Sequence, residues 1–412
     1  MNRGAAGSAG SAPATAVAGL AAASAGACAL AMAMGVGRFA YTPMLPPMLD
    51  ESGLGLSAAG LIASANFLGY LLGALLATRA AFARRRVDWL RAGLAASVLT
   101  TAAMALDVGA GGWAAVRLVS GVASAFVLVF TSAVVFEIAA REGRPMLGGL
   151  LYAGVGFGIA ASALLVYAGR EAGSSAASLW WALAGLSVLL AIVPWRLLDR
   201  PAGATPAPHT DPGRSAADQR ALSRLVWSYG CLGFGYVITA TFLVVMVRRL
   251  PDARALEFWT WAVVGLAGAP SNWLWARVAA RTGSYTAIVA AFVLEAIGVT
   301  LAAVGQGPAA LLVGAALLGG TFLAITALGL ATARELAPDR PDQTIARMTV
   351  AFSLGQIVGP AVGGWLAERS GSFAAPSWLA TVVLLAGAAL AASAGRNGRT
   401  RGHVAPADPP RR

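Results

Sequence analysis

The chain has 412 residues, 58% of them hydrophobic and 12% charged, with a mean hydropathy of +0.71, far more apolar surface than a soluble core of this size would bury. Its formal charge is +12, yet the basic residues punctuate long apolar runs instead of gathering on a polar face, which speaks for membrane topology and against nucleic-acid binding. All thirty basic residues are Arg, so a Walker A phosphate loop and a pyridoxal Schiff base, both of which need Lys, are excluded.

Residues 1–16 are small or polar and are expected to form a disordered cytoplasmic N-terminus. Runs of about twenty apolar residues cross a bilayer when helical, because lipid requires every backbone polar group to bond internally. Six such runs fill residues 17–198: Val17 to Met48, Ala58 to Thr78, Trp89 to Leu106, Trp113 to Val135, Met146 to Ala168 and Leu179 to Leu198. Residues 199–221 are rich in Pro, Ala and charge, lack apolar periodicity, and are predicted to be a cytoplasmic linker. Six further runs fill residues 222–394: Leu222 to Val247, Phe258 to Val278, Tyr285 to Val304, Pro308 to Ala333, Met348 to Ala367 and Pro376 to Ala394. Residues 395–412 read as a disordered cytoplasmic tail. The fold class predicted is an all-α integral membrane protein of twelve helices in two pseudo-symmetric six-helix bundles.

An even number of helices puts both termini on one side. With the termini inside, five Arg lie outside (Arg170, Arg248, Arg249, Arg254, Arg369), Arg38 and Arg117 fall within spans, and the other 23 are cytoplasmic, as the positive-inside rule demands. The first run is too long for a signal-peptide core. Trp180, Trp181, Trp259 and Trp261 lie close to span ends, where aromatic belt residues are expected. Cys28 and Cys231 sit in apolar segments, and His209 and His403 in the linker and tail. Neither a metal site nor a cofactor is indicated, and no Ser/His/acid set points to catalysis.

The stretch GVGRFAYTPMLPPM, Gly35 to Met48, returns 198 positions later, with Gly35, Gly37, Leu45 and Met48 recurring as Gly233, Gly235, Leu243 and Met246. A second echo has Gly154, Gly158 and Ser162 return after 201 positions as Gly355, Gly359 and Gly363. Such duplication is a mark of transporters. Twelve helices, a central linker and parallel halves resemble the major facilitator superfamily. GVGRFAYTPMLPPM followed by SANFLGYLLGALLA, together with GFGYVITATF, GGTFLAITALGL and ARMTVAFSLGQIVGP, is similar to its uncharacterised YbfB/YjiJ branch. The superfamily's loop between helices two and three usually carries an Asp; here Ala77 to Arg86 has none before Asp88, which puts that loop's usual charge relay in doubt. Arg117 and Gly121 match the superfamily's short Arg-x-x-x-Gly pattern in the fourth helix.

Arg38 is the sharpest candidate. The repeat places it about fourteen residues into its span, or ~21 Å along a helix, where a guanidinium costs at least ~2.5 kcal/mol unless it faces a cavity and a counter-charge. Glu295 is the mid-depth carboxylate, but the resemblance implies a peripheral ninth helix and a cavity-lining first helix. Three readings stay open: contact with an anionic substrate or a coupling network, an internal pair or helix cap, or snorkelling outward. Glu295 is a candidate proton carrier or a packed neutral acid. Arg117 reads as a structural anchor reaching the outer interface. Tyr41, Asn66, Tyr236, Thr239, Thr241, Asn272 and Gln356 are polar candidates for substrate contact, each equally able to bond a neighbouring helix. Pro43, Gly154, Gly158, Gly359 and Pro360 are candidate gating, hinge or packing positions.

The reading is a secondary active transporter of the plasma membrane, functional as a monomer in the bilayer, carrying a small-molecule substrate by alternating access. A small organic anion with proton coupling is favoured. The alternatives are efflux of amphipathic compounds and a non-transport role as membrane sensor or partner subunit.

Overall fold

The computed structural model describes residues 12–144, 146–197, 216–248, 250, 253–305, 307–338 and 341–399, and all secondary structure among them is helical. The elements are α1 (Ala12–Leu30), a π-helix (Ala31–Val36), α2 (Tyr41–Ser52), α3 (Leu56–Ala77), the short α4 (Ala80–Ala83), α5 (Arg86–Ala103), α6 (Gly109–Arg141), α7 (Met146–Glu171) and α8 (Ala176–Leu197). They are followed by α9 (Ala216–Val247), α10 (Ala253–Thr282), α11 (Ser284–Val304), α12 (Gly307–Leu336), α13 (Pro341–Ser370) and α14 (Ala374–Arg399). The start of the predicted disordered N-terminus, most of the linker, the end of the tail and Arg249 lie outside the described residues. Where those segments are described, helices run five or six residues past the boundaries expected from hydropathy, to Ala12, Ala216 and Arg399. Ala is the best helix former, and Asp218 in the first turn of α9 complements the helix dipole.

Ten helical segments are long and apolar enough to cross a membrane, the first of them running through α1, the π-helix and α2. The expected third and eighth spans, α5 and α10, form as long helices but fall outside that set. Arg86, Asp88 and Arg91 crowd the first turns of α5, while four Trp with Pro270, Ser271 and Asn272 dilute the hydropathy of α10.

Helices α1 to α8 pack as one group, with α3 on α6 and α1 on α7; α9 to α14 form another, with α9 on α13 and α14, and α11 on α12. The groups meet along α3 against α13 and α7 against α10. Small residues set these distances. A Cβ on Gly121 would run into the Asn66 carbonyl of α3, and one on Gly69 into the Leu118 carbonyl of α6, so each glycine admits the other helix's backbone. Gly156 and Gly265 face each other in the same way between the groups. The repeat is visible as contact between its own equivalents: Thr42 Oγ1 donates to the Ala240 carbonyl at 2.6 Å, and Arg248 Nη1 meets Asp50 Oδ1 at 2.7 Å, both pairs 198 positions apart. Residues related by a twofold operation touch only beside its axis, so the pseudo-axis runs between α2 and α9.

The first run breaks near its middle. Gly37 N and Phe39 N bond five residues back, to Met32 and Met34, and residues 37–40 form a turn before α2. Pro43 has no N–H for the Phe39 carbonyl, which takes the Thr42 N–H at 3.2 Å instead. Two of the belt assignments also fail: Trp180 and Trp261 are each 1% exposed, whereas Trp181 and Trp259 are 58% and 53% exposed. Nearness to a span end sets depth; adjacent positions point about 100° apart, so it does not set the face.

Replacing Gly121 by Val should force α3 and α6 apart and cost about 1 to 3 kcal/mol. Thermal unfolding of the detergent-solubilised protein reads this as a lower midpoint, and an unchanged midpoint would contradict the backbone contact.

Candidate functional site

The break in the first pass frees carbonyls at the point where the two groups of helices meet. Arg117, on α6, donates from Nη1 to the Gly37 carbonyl at 2.6 Å and from Nη2 to the Arg38 carbonyl at 2.8 Å, and Ser120 Oγ adds a bond to Gly37 at 3.3 Å. Arg117 is 3% exposed and lies 5.1 Å from the Tyr41 ring centroid. The outward reach expected of it is therefore corrected: it is an anchor, but it turns inward to cap the broken helix, because unpaired buried carbonyls cost more than the guanidinium gains at an interface.

Arg38 is carried on the turn that Arg117 caps. It is 4% exposed. Its Nη2 donates to Gln356 Oε1 of α13 at 2.9 Å, and its Nε has no partner. Gln356 Nε2 in turn donates to the Tyr236 hydroxyl of α9. The guanidinium carbon lies 4.3 Å from the ring centroid of Tyr70, 4.6 Å from Phe67 and 5.7 Å from Phe39. No carboxylate lies within ion-pair distance of Arg38 among the described residues. Its positive charge is met by ring faces and by neutral polar groups, the Gln356 amide and the Tyr70 hydroxyl.

Beside Arg38 is a cavity of about 20 Å³ lined by Arg38, Phe39, Tyr41, Thr42, Ala63, Phe67, Arg117, Val237, Ala240 and Thr241, room for a single water. Larger grooves lie elsewhere. One of about 930 Å³ between α9, α13 and α14 includes the exposed Trp227, Leu354 and Val358 and none of the predicted site residues, which marks it as a flank of the bundle and not its centre.

The predicted residues divide accordingly. Arg38, Gln356 and Tyr236 form one bonded chain between the two groups. Tyr41 and Thr241 line the cavity, but the Tyr41 hydroxyl is committed to the Ala59 carbonyl at 3.0 Å. Asn66 is spent on packing α3 to α6, donating to the Arg117 carbonyl at 2.9 Å. Thr239 is fully buried with an unpartnered hydroxyl, and Asn272 keeps an unpartnered Oδ1 on α10; neither lines the cavity. Glu295 is fully buried on α11, accepts from Thr321 of α12, and has Oε1 unpartnered. Of the hinge candidates, Pro43 shapes the break, Gly154 and Gly158 admit the backbone at Ala27 and Ala31, and Gly359 abuts Phe234 and Val237. The Pro360 carbonyl sits against Gly60 of α3.

Sequence reasoning passed over the rings. Phe67 and Tyr70 stand three apart on α3 and so share a face. A column of rings crosses the centre, with centroid separations of 6.5 Å from Trp261 to Phe39, 6.0 Å from Phe39 to Phe322, 5.2 Å from Phe322 to Tyr236 and 5.9 Å from Tyr236 to Phe352. The Phe67 and Tyr70 spacing was a usable signal. The column joins residues far apart in the chain and left none.

A model of the family described as uncharacterised MFS-type transporter YbfB matches residues 30–392. The fold is similar to a crystal structure of a point mutant of the nucleoside transporter NupG, with a TM-score of 0.70 and 13% identity over 92% of this chain and 99% of that one. A second NupG crystal structure matches with a TM-score of 0.65 and 15% identity over 94% and 100%. No curated protein matches the chain in sequence.

Arg117→Ala should leave two buried carbonyls unpaired and destabilise the protein by about 3 kcal/mol, with Arg117→Lys recovering part of it because one ammonium cannot reproduce the fork. Equal melting temperatures for the wild type and Arg117→Ala would remove the capping role.

Proposed function

We propose, from the premise that the chain belongs to the YbfB-type family of uncharacterised MFS transporters, that it moves a small organic anion across the plasma membrane by alternating access, with Arg38 as the anion's anchor. The chain is a multi-pass membrane transporter and not an enzyme; the anion, the direction and the coupling are the proposal. The observation that carries it is the Arg38 guanidinium, 4% exposed and without a carboxylate partner, at a contact between the two groups of helices. Ring faces and neutral hydrogen bonds offset the cost of a cation there without supplying a counter-charge, so an anion that visits from water accounts for its position.

Asp50 and its neighbours supply the gate. Arg248 binds Asp50 across the pseudo-axis and Glu257 at 3.1 Å, Arg170 approaches Asp50 at 3.7 Å, and Glu368 of α13 accepts from the Ser57 N–H of α3 at 2.9 Å. With both termini cytoplasmic, this is the extracellular end, and these contacts hold it shut. Opening it requires Asp50 and Arg248 to part, while Pro43 loosens the helix end that moves and Gly154, Gly158, Gly359 and Pro360 are contact points over which the halves rock.

Glu295 is the proton carrier in this reading. It is the fully buried carboxylate of the second group among the described residues, has one oxygen without a partner, and lies on α11, outside the cavity lining. Coupling then passes through packing, by way of Thr321 and its chain neighbour Phe322, whose ring stacks on Tyr236. The protein works as a monomer, since the cavity is built within one chain.

Two measurements in proteoliposomes test this. Arg38→Ala should abolish saturable uptake of the organic anion, and unchanged uptake would remove the basis of the reading. Acidifying the outside should accelerate uptake by the wild type, and Glu295→Gln should lose that acceleration while retaining counterflow; if the variant still responds to the gradient, the proton travels elsewhere.

A further inference from the structure

Two N–H groups on one edge of the Arg38 guanidinium narrow the class of anion. A guanidinium offers a carboxylate a pair of parallel N–H groups, and Nε with Nη2 is one such pair. Nη2 is bonded to Gln356 Oε1 and Nε is empty. An amide presents one oxygen where a carboxylate presents two, so Gln356 covers half of a fork built for both.

The surroundings restrict what can hang from that carboxylate. The cavity wall has two cations and no acid. Arg117 has both Nη groups on backbone carbonyls and only its Nε without a partner, so it offers a single N–H and no second fork. The Tyr41 hydroxyl is held by Ala59 and that of Thr42 by Ala240, which leaves Thr241 and the lone Arg117 Nε to meet any other polar group. A dicarboxylate or a polyhydroxylated anion would bury groups with no partners there. The remaining wall is rings and aliphatic side chains, and Phe39 joins the cavity to the column formed by Trp261, Phe322 and Tyr236.

We propose that the substrate is an aromatic monocarboxylate whose two oxygens take the Nε and Nη2 edge of Arg38, displacing Gln356, while its ring packs among Phe39 and Phe67. This rests on Arg38 being the anion anchor. Since Arg38 belongs to the first group and Gln356 to the second, the same displacement unties the halves, and the ring enters as Phe39 separates from Phe322. Binding and the opening of the centre thereby become one event.

The test uses the full chain in proteoliposomes with radiolabelled benzoate, propionate and benzylamine as probes, and thermal stabilisation in detergent as a second readout. Benzoate should show a KM at least about tenfold below that of propionate, as ring contacts supply, with benzylamine not carried. Phe67→Leu should bring benzoate toward propionate; if that variant does not fold, Phe39→Leu carries the same comparison. Gln356→Ala should lower the benzoate KM by about fivefold, the worth of one competing hydrogen bond. Propionate carried as well as benzoate overturns the aromatic class and leaves the anion reading standing. Benzylamine carried while neither anion is transported or stabilises the protein overturns both, and so does benzoate uptake indifferent to Arg38→Ala. No saturable benzoate flux and no stabilisation by benzoate overturns the inference by itself if propionate is transported.

Discussion

A positive charge held in an apolar interior without a negative partner is the constraint around which this molecule is arranged. The cost of burying Arg38 is at least ~2.5 kcal/mol, and desolvated ring faces return about 2 kcal/mol or more. Tyr70 and Phe67 within 5 Å of the guanidinium carbon, together with the Gln356 amide, therefore make the position tolerable in the absence of ligand without satisfying it. The second guanidinium has a different task. Arg117 makes the turn that carries Arg38 possible, since it receives the carbonyls of residues 37 and 38 at 2.6 and 2.8 Å. One Arg builds the platform and the other stands on it, and loss of the first should damage the fold where loss of the second should damage recognition.

The break in the first pass follows from local chemistry and has long-range effects. Pro43 withholds one N–H, the helix widens to a π turn over Ala31–Val36, and the chain re-enters helix at Tyr41 with its side chains rotated. Gly35 lies against Gly158 there, so α7 can sit close on the widened turn. An unbroken helix would have kept the carbonyls of residues 37 and 38 to itself and left Arg117 with nothing to cap.

Much of this was legible in the sequence, and unevenly so. The runs of apolar residues and the repeat at 198 positions gave helices and their duplication because lipid thickness and backbone bonding leave few alternatives. Arg38, Gln356 and Tyr236 stood out one by one as polar residues on apolar helices, while their bonding into a chain came only with the structure. What hydropathy could not convey was direction around the helix axis. Trp180 and Trp181 are neighbours in sequence, yet one is in the core and the other is exposed. Asn66 looked like a ligand group and is bonded to the Arg117 carbonyl. Polar groups that bind a neighbouring helix and polar groups that face a cavity are the same residue types, and only packing separates them. Arg117 was misjudged for a related reason: its distance from Trp113 suggested reach to the interface, while the demand for a cap arose some eighty positions earlier in the chain.

Glu295 and Arg38 are the two buried charge-bearing groups whose partnership the sequence left open, and the structure keeps them apart. Glu295 is engaged by Thr321 within the second group, and Arg38 is engaged by Gln356 between the groups. Had they formed a pair, each would have cancelled the other's demand for a ligand, and the centre would be a rigid internal salt bridge. Their separation leaves two buried charge-bearing groups, each short of a full set of partners, linked by the stack of Phe322 on Tyr236 and the bond from Gln356 to Tyr236. A change at either charge that shifts Tyr236 is felt at the other through contact alone. For the proposed anion and proton, such an arrangement suits coupling better than a direct pair does, because a direct pair would neutralise the site before either ligand arrived.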